Sequence, residues 1–149
     1  MARSALVVRG GWQGHQPIET TDLFIPFLRD NGFTVRIEDD PAVYGDADGM
    51  REVDLIVQSV TMGEISSEAC LGLRRAVERG AGLIGWHGGI VDSYRASAEY
   101  LQLVGGQFAA HPSKLDEGRY TRFAEFLRDV GLINEEQPIA TLAIELEGR

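Results

Sequence analysis

Short apolar runs alternate with amphipathic stretches along this chain. Ala5-Leu6-Val7-Val8 is an unbroken apolar run stopped by Gly10-Gly11, the pattern of a buried strand. From Pro17 onward, Leu23, Phe24, Phe27 and Leu28 recur at helical spacing, and Asn31-Gly32 is the stop signal. Pro26 lies inside that stretch, where a proline costs about 3 kcal/mol, so a kink or a late start is expected. Phe33, Val35 and Ile37 alternate with polar residues, as in a half-buried strand near a sheet edge. Asp39 to Arg51 is acidic and turn-rich and reads as a loop with one short helical turn. Leu55-Ile56-Val57 opens another buried strand that runs out around Ser59 to Gly63.

Ser66 or Ser67 caps the next helix, which carries Cys70, Leu73 and Val77 on one face and stops at Gly80. Cys70 therefore points to the core and behaves as a small hydrophobe rather than a reactive thiol. A short run, Leu83-Ile84, precedes a helix through Tyr100, Leu101 and Val104 that ends at Gly105-Gly106. Beyond a polar linker after Pro112, Tyr120, Phe123, Leu127 and Val130 share a helical face that stops at Gly131. Leu142, Ile144 and Leu146 alternate with Thr141, Ala143 and Glu145 as a closing edge strand. Strands separated by helices in this way specify βαβ units: a doubly wound α/β domain of about five mostly parallel strands over residues 1–149. In such sheets ligands bind outside the carboxyl ends of the strands.

That rule directs attention to Gly85-Trp86-His87-Gly88-Gly89, a histidine with glycine two residues before and two after, at the end of a strand. The spacing is that of a nucleophile elbow, in which glycines admit a tight strand-to-helix turn and one polar side chain stands above the sheet. The competing reading is a glycine-rich loop whose histidine only caps nearby backbone. His15 follows the first strand and shares the same rim, and the glycine-rich run before His111 could return that residue to it. Glu64, just past the third strand, is placed to orient an imidazole and raise its basicity, or else merely to favour a helix start. Asp92 and Arg95 are expected to begin the helix after the elbow, with Asp92 shaping the turn or capping. Trp12 and Trp86 flank these residues; flat indole faces suit sugar rings, and for Trp86 plain packing is the favoured reading.

Gly10-Gly11-x-x-Gly14 lacks the first glycine of a dinucleotide fingerprint, where Arg9 stands, so these glycines are expected to let Trp12 and His15 fold over the strand ends. Three histidines and several acids allow a metal site, but no pair has the i, i+4 or C-x-x-C spacing that would specify one, so no metal ligand is assigned and no cofactor is specified. A net charge of -9 argues against nucleic acid and anionic membranes as partners. A composition of 44% hydrophobic and 25% charged residues is that of a globular chain rather than a disordered one. One cysteine forbids an internal disulfide and fits a reducing cytoplasm. No apolar h-region follows Met1, and no run approaches the roughly 20 apolar residues of a membrane span.

Five motifs, taken in order, resemble the ThuA (trehalose-utilisation) family. They are Gly10-Gly11-Trp12-x-Gly14-His15, Thr61-Met62-Gly63-Glu64-Ile65, Gly85-Trp86-His87-Gly88-Gly89, Asp92-Ser93-x-Arg95 and Tyr100-x-x-x-Val104-Gly105-Gly106-Gln107-Phe108-x-x-His111-Pro112. The resemblance implies a flavodoxin-like three-layer sandwich akin to class I glutamine amidotransferases, and a role in bacterial carbohydrate utilisation. It also implies that His87 stands where amidotransferases carry cysteine, and imidazole cannot support their thioester chemistry. The expected site is then His87 as general acid or base with Glu64 and Asp92, while Trp12, His15, Trp86, Arg95 and His111 line a pocket for a sugar derivative. A non-catalytic carbohydrate- or protein-binding module, or an inactive truncated or engineered hybrid, is the alternative, and a homodimer is left open. The motifs stop at Pro112; Tyr120 to Leu146 instead resembles the closing helix and strand of transporter solute-binding proteins, as a truncated, fused or engineered chain would.

Overall fold

The computed structural model describes residues 3–108. Four strands, β1 (Arg3–Gly11), β2 (Phe33–Glu38), β3 (Leu55–Thr61) and β4 (Gly82–Gly85), form one sheet in the order β2-β1-β3-β4, and every pairing is parallel. The register sets Val7 against Val57 and Val57 against Ile84. The expected closing strand at Leu142–Leu146, the helix before it and His111 lie outside the described residues.

Alternation along β1 divides the core between the two faces of the sheet. Leu6 and Val8 pack with Ile56, Val60, Cys70, Leu73 and Tyr100 on one face, while Ala5 and Val7 pack with Ile25, Leu28 and Val57 on the other. The first face is covered by α4 (Ser67–Glu78) and α6 (Ala98–Val104), the second by α1 (Pro17–Asp22) and α2 (Ile25–Asp30). Ser66 caps α4 by accepting the Ala69 N–H at 3.1 Å, and Cys70 is buried, as expected. Gly105, at φ 74°, closes α6 in the left-handed conformation.

Two expectations need correction here. The stretch after Pro17 is two helices, not one, because Pro26 serves as an N-terminal residue of α2. Pro17, Thr21, Ile25 and Leu28 face inward, while Leu23, Phe24 and Phe27, read as the core face, are 77%, 48% and 63% exposed. The acidic loop is also more structured than its composition suggests. It forms a 3-10 turn at Pro41–Gly45 and α3 (Ala47–Arg51), because Asp40 and Asp46 cap their starts and Tyr44 and Met50 anchor them in the core. Among the described residues no helix is long and apolar enough to cross a membrane.

Candidate functional site

The order β2-β1-β3-β4 reverses direction between β1 and β3, and at that switch point the carboxyl ends of two strands leave a crevice. The chain fills it with imidazole. After β1, a 3-10 turn at Gln13–His15 folds back over the strand ends, anchored by the Trp12 N–H donating to the Thr61 carbonyl at 2.9 Å. His15 is thereby set with Nδ1 2.9 Å from the hydroxyl of Thr61, the last residue of β3. When that hydroxyl donates, the imidazole carries its proton on Nε2.

From the other side comes the elbow. After β4, His87 adopts φ 51° and ψ -141°, a conformation that a side chain enters only under strain of about 1–3 kcal/mol. A Cβ at Gly85 would lie 2.6 Å from the Gln58 carbonyl oxygen and one at Gly89 would lie 2.9 Å from Ser59 Cα, so the flanking glycines are required as the motif implied. The short helix α5 (Gly88–Val91) follows. His87 is exposed at the rim, and its ring meets that of His15 edge-on with centroids 4.7 Å apart and planes at 75°. Trp12, 52% exposed, packs against the other side of His15 with centroids again 4.7 Å apart. Two imidazoles, a hydroxyl and an open indole face therefore occupy one patch, across the end of β3.

Close approach makes Gly88 part of this patch. A Cβ there would lie 2.7 Å from His15 Cε1 and 3.0 Å from its Nδ1. Gly88→Ala is expected to push His15 off Thr61 and to cost about 1–3 kcal/mol, as overpacking does. Chemical denaturation, together with the His15 ring signals in NMR spectra, checks both effects; unchanged ring signals would contradict the packing described.

The other expected site residues are distributed differently. Glu64 makes neither a hydrogen bond nor an ion pair to His87. The Met62 and Gly63 N–H groups donate to the Asp92 and Ser93 carbonyls at 2.8 and 2.7 Å, and Met62 turns to φ 53°. That turn carries Glu64 away to a separate hollow of about 270 Å³, shared with Ser67, Tyr94 and Ser97. Thr61 bonds His15, and no carboxylate among the described residues bonds His87. Asp92 lies at the end of α5 rather than at the start of α6, which Ser97 caps. Its buried carboxylate accepts two hydrogen bonds from Arg95, which hold the guanidinium above its ordinary pKa. Arg95 also lies over the Phe108 ring, 5.8 Å from its centroid. Trp86 turns to the opposite side of the elbow, 4.9 Å from Phe24, where Phe24, Phe27, Ile84 and Trp86 line an apolar hollow of about 260 Å³.

Thr61 was not singled out from the sequence, although it stands in one of the motifs. Neither was Gln58, whose signal was available: an amide in the middle of an otherwise apolar strand.

A doubly wound α/β sheet with a histidine on its elbow defines the class, and comparison with known proteins defines the family. The sequence model for ThuA, trehalose utilisation, matches residues 4–144, and the chain belongs to that family. The match continues past Pro112, so the last segment, which the motifs alone set apart, is family sequence as far as residue 144. A solved ThuA-like protein from Bacteroides uniformis superimposes with a TM-score of 0.57 at 19% identity, over 70% of this chain. This chain spans 44% of that protein's length, and the likeness is one of fold. No curated protein matches the sequence.

Proposed function

We propose that this chain binds a sugar or sugar derivative at the carboxyl rim of its sheet and that His87 moves a proton there as general acid or base. The observation that carries the reading is the edge-on pair of His15 and His87, brought from two separate loops to one exposed patch. The elbow fixes the direction of the His87 Cα–Cβ bond, and a positioned proton donor or acceptor is what an imidazole contributes to catalysis. Trp12 offers a half-open indole face beside the pair, suited to the apolar face of a sugar ring. Arg95, locked to Asp92, supplies a fixed cation just after α5. The family description, trehalose utilisation, points to the same class of ligand. The buried free Cys70 is compatible with a reducing cytoplasm.

A second reading, a carbohydrate-binding module without chemistry, is favoured by one feature: no carboxylate reaches His87, so the usual means of tuning a catalytic imidazole is missing among the described residues. Titration calorimetry of the chain with disaccharides, trehalose first, run beside a turnover assay, separates the two. Heat and turnover together support the catalytic reading. Heat without turnover supports the module, and neither signal with any disaccharide removes both.

A further inference from the structure

Beneath the elbow lies a closed set of hydrogen bonds with a single residue at its centre. Gln58 is fully buried between Ile56 and Val60 on the sheet face covered by α4 and α6. Its Oε1 accepts from the Tyr44 hydroxyl at 3.0 Å, and its Nε2 donates to Ser93 Oγ at 3.0 Å and to the Tyr100 hydroxyl. Ser93 Oγ in turn donates to the Gly89 carbonyl at 2.9 Å, and the Tyr100 hydroxyl donates to the Ile90 carbonyl at 2.7 Å. Each hydroxyl proton and both amide protons then have one acceptor, with none left over. The two carbonyls at the far end belong to α5, the four-residue helix that His87 opens and that is too short to satisfy its own backbone. Register strengthens the link, since Gln58 pairs with Gly85, the residue at which the elbow begins.

An apolar side chain at position 58 would continue the pattern of a parallel strand and avoid burying an amide. We infer that Gln58 is a positioning residue. Through Ser93 and Tyr100 it fixes the backbone of Gly89 and Ile90 and so aims the His87 ring at His15, a role that rests on His87 being the working group. Ser93 and Tyr100 give their protons to carbonyls and so accept from the amide, which sets its direction and leaves Oε1 to accept from Tyr44. Fully satisfied networks of this kind hold a single geometry, whereas partly satisfied ones do not.

The test uses the whole chain and compares Gln58→Leu and Tyr100→Phe with Leu73→Ala, a truncation in the same core that touches none of these bonds. The readout is the NMR spectrum of the imidazole rings. Tyr100→Phe keeps the ring that fills the core and loses only the hydroxyl, so it serves where Gln58→Leu fails to fold. Both network variants are expected to shift the His87 ring signals and to weaken or abolish the nuclear Overhauser contact with His15. The double variant is expected to shift them no further than the larger single one. Leu73→Ala is expected to lower the Tm and leave the His87 signals in place. Unmoved His87 signals in Tyr100→Phe, or equal movement in Leu73→Ala, would overturn the inference. A failure of the sugar reading appears elsewhere, as a calorimetric blank with the ring shifts intact.

Discussion

On the proposed acid–base role, replacing His87 by glycine is expected to lower turnover sharply and at the same time make the fold more stable. Loss of a positioned general acid or base lowers rates by about 10²–10⁴-fold. The strain at φ 51° and ψ -141°, about 1–3 kcal/mol for a residue with a side chain, vanishes for glycine. Glycine's larger entropy in the unfolded chain offsets about 0.5–1 kcal/mol of that, which leaves a net gain on the order of 1 kcal/mol. His87→Ala should lose the same turnover without the gain, because alanine keeps the Cβ and hence the strain. Denaturation midpoints and turnover of the best disaccharide, measured on both variants, check the pair. A glycine variant that is less stable and still active would show that the elbow is neither strained nor used.

Raising the pH above about 10 is expected to unfold the protein cooperatively. Tyr44, Tyr94 and Tyr100 are buried, and burial pushes all three phenols above their ordinary pKa, with the neighbouring tyrosines adding to the shift at Tyr44 and Tyr94. Below pH 10 each phenol is protonated in both the folded and unfolded states and contributes no pH dependence. Above it the unfolded chain releases protons that the native state retains, so stability falls as pH rises. The slope is about 1.4 kcal/mol per pH unit for each tyrosine, or about 4 for three, against a total stability on the order of 5–15 kcal/mol. Tyrosinate absorbance from these residues should therefore appear together with the loss of circular dichroism. Titration of all three of these phenols near pH 10 in a chain with intact dichroism would contradict the burial.

Much of this architecture could be read from residue patterns, and the parts that could not share a cause. Runs such as Ala5 to Val8 and Leu55 to Val57 are buried on both faces, so hydrophobicity alone located β1 and β3. The elbow was legible because only glycine fits at positions 85 and 89, so the requirement is written in residue type. The stretch after Pro17 is helical as expected, but it is two helices, and of the residues read as its core face only Leu28 is buried. Their apolar residues outnumber those the core accepts, and Thr21, a polar residue, takes a buried position by bonding its hydroxyl to the Pro17 carbonyl at 2.7 Å. Tyr44 and Met50 were lost in an acidic stretch because two isolated anchors leave no periodicity. The site follows the same division. His15, His87 and Trp12 meet because strand ends meet, which topology foretells. The placement of Glu64 away from His87 follows a left-handed turn at Met62, and no spacing rule encodes that.

The claim on which the rest depends is that His15 and His87 face each other above Thr61. The chain has three histidines, so their ring protons can be assigned by substitution and followed one by one. The decisive measurement is the set of nuclear Overhauser contacts of the His15 ring. Contacts to the His87 ring, the Trp12 indole and the Thr61 methyl are expected together. A His15 ring that contacts neither His87 nor Thr61 would contradict the site and the function built on it.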